Sequence, residues 1–147
     1  MRVNTRTRYA TRALLELALR EGEGAISLQH IAASQEISPK YLEALFSALR
    51  SAGLVQSVRG SQGGYRLAHP ARSITLRDVY ILFEGDETLV ACVDKPEECH
   101  RAADCVSREV WCQLSQQVMA VLEATTLAAL AERARERQRS GIIDYVI

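Results

Sequence analysis

The sequence contains no run near eighteen residues free of charge, which excludes an ordinary membrane-spanning helix. No apolar stretch with a small-residue cleavage site follows Met1-Arg2-Val3-Asn4-Thr5-Arg6-Thr7-Arg8, so no secretory signal is read there. The expected location is the cytoplasm, with no membrane partner. Proline is scarce, at three residues, and there is no repeat or low-complexity tract. Formal net charge is zero and 48 % of the 147 residues are hydrophobic, which excludes a disordered chain. That length suits one compact domain, or a small domain with one long element. No nucleophile–base pair and no pair of carboxylates stands out, so nothing points to an enzyme.

Zero net charge conceals a dipole. Residues 1–72 hold ten Lys or Arg against five acids, and residues 73–147 hold eight against thirteen. A basic half joined to an acidic half fits a chain in which only the first half meets a polyanion. Cysteine is distributed as unevenly. All four, Cys92, Cys99, Cys105 and Cys112, lie in the acidic half. Clustered thiols in a cytoplasmic chain are more often metal ligands or redox centres than a disulfide framework.

Periodicity and capping residues order the chain into mainly helical elements. Tyr9, Ala13, Leu14, Leu17 and Ala18 recur at helical spacing and predict a helix over 5–20, ended at Glu21-Gly22-Glu23-Gly24. Ala25-Ile26 reads as a short extended piece. Ser27 is an N-cap candidate for a helix over 28–34. Ser38 caps a second short helix, with Pro39 at the first position, where no amide donor is needed. Leu42, Leu45, Phe46 and Leu49 form its buried stripe, and Gly53 stops it. Strands over 54–58 and 65–67 flank Arg59-Gly60-Ser61-Gln62-Gly63-Gly64, a glycine-rich hairpin tip. A further capped helix covers 74–85. Residues 86–104 lack a period and read as an irregular loop. From 105 a long helix is expected to reach 139, because Trp111, Leu114, Val118, Val121, Thr125 and Ala128 step by three and four like a coiled-coil seam. A small domain cannot cover so long a helix, which implies a partner chain. Residues 140–147 form an apolar tail of no assigned role.

Two short helices, a tight turn and a glycine-tipped hairpin make a winged helix-turn-helix. The fold class is therefore mainly α with a small β-hairpin wing and a long C-terminal dimerisation helix. The expected organisation is a DNA-binding region over 1–85, a cysteine loop over 86–104, a dimerisation helix over 105–139 and the tail. The first exposed turn of the 38–52 helix offers Ser38, Lys40, Tyr41 and Glu43 to the major groove. Lys40 can meet a phosphate or a guanine edge. A carboxylate such as Glu43 faces an anionic groove at a cost unless it accepts from a cytosine amino group. The plainer alternative is an ion pair of Glu43 with a neighbour such as Lys40. The tip Arg59, Gly60, Ser61, Gln62, Gly63, Gly64 suits a narrow minor groove: glycines allow close approach and Arg59 supplies charge.

The thiol spacing is Cys92-x6-Cys99-x5-Cys105-x6-Cys112, without the pairs two to four residues apart that zinc knuckles prefer. Three widely spaced thiolates can instead wrap a larger object such as an iron–sulfur cluster. Cys112, seven residues after Cys105, is either a further ligand on the same helix face or a packing residue of the dimer helix.

Ser38-Pro39-Lys40-Tyr41-Leu42-Glu43, Leu49-Arg50-Ser51-Ala52-Gly53-Leu54-Val55, and Val58-Arg59-Gly60 through Gly63-Gly64-Tyr65-Arg66-Leu67 closely resemble the Rrf2 family of bacterial transcription regulators. The resemblance runs from residue 1 to about 131. It implies a winged-helix DNA-binding segment and a long C-terminal helix that pairs two chains. By similarity Glu43 matches a base-reading glutamate and Arg59 a minor-groove arginine, while Ala44 departs from the longer polar residue of IscR-like members. The thiols resemble those of the iron–sulfur branch, the IscR-, NsrR- and RirA-like proteins, which implies Cys92, Cys99 and Cys105 as ligands of a 2Fe–2S or 4Fe–4S cluster. Members of the CymR type lack those cysteines. IscR-like proteins add a histidine where this chain has Arg108, and NsrR-like proteins an N-terminal aspartate where it has Arg8. Cys112, His100, a carboxylate such as Glu98, or an exogenous group is left as the fourth ligand.

The expected protein is thus a homodimeric repressor or activator. It binds a palindromic operator in double-stranded DNA under control of an iron–sulfur cluster that reports iron, redox or nitric oxide status. The alternatives are a cluster-free thiol-sensing regulator and, in a different class, a zinc-stabilised adaptor that binds proteins.

Overall fold

The computed structural model describes residues 3–86 and 90–144. Helix α1 (Thr5–Leu19) is followed by α2 (Leu28–Gln35) and α3 (Pro39–Ser51). A hairpin of β1 (Val55–Val58) and β2 (Gly64–Leu67) comes next, then α4 (Leu76–Glu84), the single-turn α5 (Ala91–Asp94), α6 (Val106–Ala124) and α7 (Leu127–Asp144). Among the described residues, no helix is long and apolar enough to cross a membrane.

Side-chain caps set the helix starts. The Asn4, Ser27 and Ser38 side chains accept the amides of Thr7, His30 and Tyr41, and Pro39 occupies the first position of α3. Thr75 and Asp78 form a reciprocal capping box on α4, with Thr75 N–H donating to Asp78 Oδ2 at 2.7 Å. The turn between α2 and α3 passes through Glu36 in the left-handed region at φ 54°. That single residue supplies the sharp change of direction without a glycine.

The hairpin is antiparallel, with Val55 opposite Leu67 and Val58 opposite Gly64. Ile26, in the extended piece before α2, adds a third rung: Ile26 and Tyr65 exchange two amide hydrogen bonds of 2.8 Å. The chains approach so closely there that a Cβ on Gly64 would sit 2.2 Å from the Ile26 carbonyl oxygen. The wing is therefore fixed to the helical core at its base. Phe46 of α3 stacks on Tyr65 of β2 at 4.6 Å between ring centroids.

The long C-terminal helix expected over 105–139 is two helices. Thr125 is extended at φ −98° and ψ 104°, and Thr126 bridges to Thr75. The Leu76 amide donates to the Thr125 carbonyl and the Leu127 amide to the Ile74 carbonyl, each at 2.9 Å. Thr126 Oγ1 then accepts from the Ala129 amide and restarts the helix. The physical reason is burial. Leu127 and Ala131 join the core beside Ile74, and α7 folds back on α1. Ala128 therefore packs on its own domain and does not extend the seam. The segment expected as an irregular loop contains α5 and 3-10 turns at Pro96–Glu98 and Ala102–Asp104. Of the apolar tail, Tyr145, Val146 and Ile147 lie outside the described residues.

One carboxylate is buried in the domain. Glu16 of α1 accepts from Ser34 Oγ at 2.8 Å, Gln35 Nε2 at 3.1 Å and Arg20 Nε at 3.1 Å, with His30 Nε2 at 3.5 Å. Burial pushes the carboxyl up, but the bonds from Ser34, Arg20 and Gln35 together with the Arg20 charge outweigh it and hold the group below the usual range. Its stabilisation is complete above the pKa of the unfolded chain and is lost as pH falls through the folded value. Glu16→Gln is expected to cost about 1–3 kcal/mol at neutral pH and to flatten the acid limb of stability against pH. Chemical denaturation at several pH values checks this, and parallel wild-type and variant curves would contradict it.

Candidate nucleic-acid interface and thiol loop

α3 turns its apolar stripe of Leu42, Leu45, Phe46 and Leu49 inward, which leaves the other face of its first turns in solvent. Lys40 and Glu43 are exposed there, and neither makes an ion pair among the described residues. The Glu43–Lys40 pair offered as an alternative above is thus absent. Ser38 has its hydroxyl engaged as the cap. Tyr41 is half-buried, its ring edge-on to Tyr9 of α1 at 5.8 Å. Arg12 of α1 lies over the Tyr9 ring at 5.5 Å and donates to the side chain and carbonyl of Gln35, at the end of α2. Tyr9 and Arg12 therefore brace both helices of the helix-turn-helix from behind. Their role was missed in the sequence because the contacts cross elements that no local period connects.

At the hairpin tip Arg59, Gly60, Ser61 and Gln62 are exposed. Gly60 has φ 110°, and its carbonyl accepts from the Gly63 amide at 3.0 Å to close the turn. A Cβ on Gly63 would meet the Val58 carbonyl oxygen at 2.5 Å. Gly63 is thus required by the turn itself, while Arg59 is free to project.

The cysteines fall on four successive elements. Cys92 is in α5, Cys99 ends a 3-10 turn, Cys105 is the residue before α6, and Cys112 lies within α6. All four are free thiols of intermediate exposure. Among the described residues no three His, Cys, Asp or Glu are gathered as ligands of a single metal ion. Arg108 does not reach for a metal; its guanidinium donates to the Cys92 carbonyl at 2.8 Å and ties α5 to α6. Cys112 sits on the same helical face as Arg108 and the buried Ser115, away from the exposed apolar stripe. Glu98 is paired with Lys95 at 3.4 Å, and His100 is exposed.

Cys105 is chemically distinct. Its sulfur lies 3.2 Å from the Ser107 hydroxyl. That hydroxyl, then the Arg108 amide, outweigh the small effect of burial and, helped by the Arg101 charge, draw the thiol pKa below its ordinary value. We expect iodoacetamide to label Cys105 well ahead of Cys112 at neutral pH in metal-free protein, and Ser107→Ala to slow it. Peptide mass mapping over time reads the order; equal rates at the two sites would contradict it.

Comparison with known proteins gives these features a context. The family model Rrf2, described as an iron-dependent transcriptional regulator, matches residues 3–133. The chain is 41 % identical over 130 residues to the protein rrf2 of Nitratidesulfovibrio vulgaris, covering 88 % of this chain and 87 % of that one. It superposes on the structure of CymR, the global cysteine regulator of B. subtilis, with TM-score 0.79 at 38 % identity, over 90 % of this chain and 98 % of that one. It superposes on T. potens IscR with TM-score 0.77 at 37 % identity, over 94 % and 91 % of the two chains.

Proposed function

The chain belongs to the Rrf2 family of transcription regulators, and on that premise we propose a homodimeric regulator whose DNA affinity is set by an iron–sulfur cluster held by Cys92, Cys99 and Cys105. It is a DNA-binding protein rather than an enzyme, as its relatives are. The adaptor reading therefore falls. In this proposal α3 presents Lys40, Tyr41 and Glu43 to the major groove, Ser38 fixes the start of the helix, and the tip from Arg59 to Gly64 enters the minor groove.

The observation that carries the cluster is the placement of three accessible thiols on three consecutive turns that end at the N-terminus of α6. The donor chemistry fits, since thiolates are the ligands iron–sulfur clusters take. A cluster is larger than one ion, so sulfurs too dispersed for a single metal can still serve it. The cluster would supply a redox- and nitric-oxide-sensitive charge centre. The chain's own part is mechanical. Cys105 adjoins α6, and Arg108 couples α5 to the same helix, so closing or opening the segment shifts α6 and with it α4. The two dimer geometries then differ in recognition-helix spacing, and the cluster state selects between them.

A second reading rests on the acidified Cys105: a cluster-free regulator in which that thiolate is oxidised directly. Anaerobic purification with iron and acid-labile sulfide assays separates the two. Coloured protein containing both elements supports the cluster. Colourless protein made with ample iron overturns it, and oxidant-dependent DNA binding by that protein would establish the thiol reading.

A further inference from the structure

Helix α6 has three faces. One, with Arg108, Ser115 and Leu122, turns to its own domain, where Ser115 is buried. One is polar. The third carries Val106, Val110, Leu114 and Val121 in solvent, with Trp111 at its border and 39 % exposed. No element of the chain covers it. Elsewhere on the surface lies a cleft of 390 Å³ between α1, α4 and the end of α6. Tyr9, Thr11, Arg12, Leu76, Tyr80 and Leu122 line it, and most of its wall is apolar. The molecule thus exposes a convex apolar ridge with an aromatic at its edge and a concave apolar cleft, both sharing α6.

We propose that in the dimer the Trp111 indole of each chain fills the α1–α4–α6 cleft of the other, so that the thiol segment of one subunit bears on the recognition helix of its partner. This rests on the homodimer reading above. The two-fold axis of an isologous pair places ridge on cleft twice, with each chain giving and receiving the same contact. With the axis across the middle of the exposed stripe, the two α6 helices run antiparallel. A helical side chain leans over the turn before its own Cα. Trp111 therefore leans along the partner's α6 toward its C-terminal end, where Leu122 lines the cleft. An indole buries a large apolar area with few rotamers to lose, which suits it as the anchor of such a contact.

The consequence follows from what forms the cleft wall. Tyr9 packs edge-on against Tyr41 in the first turn of α3, and Arg12 holds the end of α2. Trp111 lies less than two turns from Cys105 on the same helix. A shift of α6 caused by the thiol segment is then delivered through Trp111 to Tyr9 and Tyr41 of the other chain. Coupling runs across the dimer, and each cysteine segment reports to the partner's helix-turn-helix.

Trp111 is the sole tryptophan of the sequence, so its emission reads the site directly. The full-length protein is examined by sedimentation velocity and by acrylamide quenching, beside Thr11→Arg and Leu76→Arg, which place a charge on opposite walls of the cleft. Circular dichroism confirms that each variant is folded. The expected wild type is a dimer with blue-shifted emission and quenching several-fold weaker than in urea. Each variant is expected to red-shift the emission and weaken the dimer at least tenfold. A monomeric wild type overturns the dimer and the insertion together. A dimer whose tryptophan is quenched as readily as in urea overturns the insertion alone, as does a protected tryptophan that neither variant disturbs.

Discussion

Alanine at Cys92, Cys99 or Cys105 is expected to strip the visible chromophore from anaerobically purified protein. Each thiolate contributes a strong soft bond, and a cluster short of one protein ligand is labile. The fold is expected to survive each change. None of the three residues belongs to the buried core, and the elements that carry them are single turns or a helix start. The winged domain closes through α7 on α1 and through the Thr75–Thr126 bridge, neither of which involves the thiols. Iron content, visible absorbance and thermal melting check this together. A coloured Cys92→Ala, Cys99→Ala or Cys105→Ala protein would remove that residue from the ligand set. Cys112→Ala provides the control. Cys112 shares a face with Arg108 and Ser115, so its loss is expected to lower thermal stability and leave the colour. Loss of colour would make it the fourth ligand.

Glu43→Ala is expected to lower operator affinity by about 1–3 kcal/mol per half-site while affinity for random duplex holds or rises. Glu43 is exposed, makes no ion pair among the described residues and lies outside the buried stripe of α3. Removing it leaves no unpaired group in the fold, so the loss can be read as specificity. The same change removes an anion from the groove, which favours binding that ignores sequence. Competition binding with the selected operator and a scrambled duplex at fixed salt measures both. Equal losses on the two would show that Glu43 acts through helix structure.

The helix-turn-helix and wing were legible because their signals are local. Ser27, Ser38 and Pro39 announce helix starts within one turn, and the glycines of the tip have no other use. Even the extended piece at Ala25-Ile26 was readable, although its partner, Tyr65, was not. The end of α6 was illegible for a definite reason. Thr125 and Ala128 continue the three-four spacing of the seam, yet the burial of Leu127 beside Ile74, fifty-odd residues earlier, wins over helix continuation. Spacing showed that the thiols could serve one centre, but their separation in space depends on three short turns with no period. The bracing of Tyr41 by Tyr9 and the burial of Glu16 by Ser34 and Gln35 are likewise products of packing between helices.

The central claim is that cluster state sets DNA affinity. An operator is obtained by selection from random duplexes with anaerobic protein. Affinity for it is then measured for the same preparation before cluster removal, after removal by chelation, and after anaerobic reconstitution with iron and sulfide. The account predicts at least a tenfold change on removal that reconstitution reverses, with little change on random DNA. Equal operator affinity in all three states would contradict it.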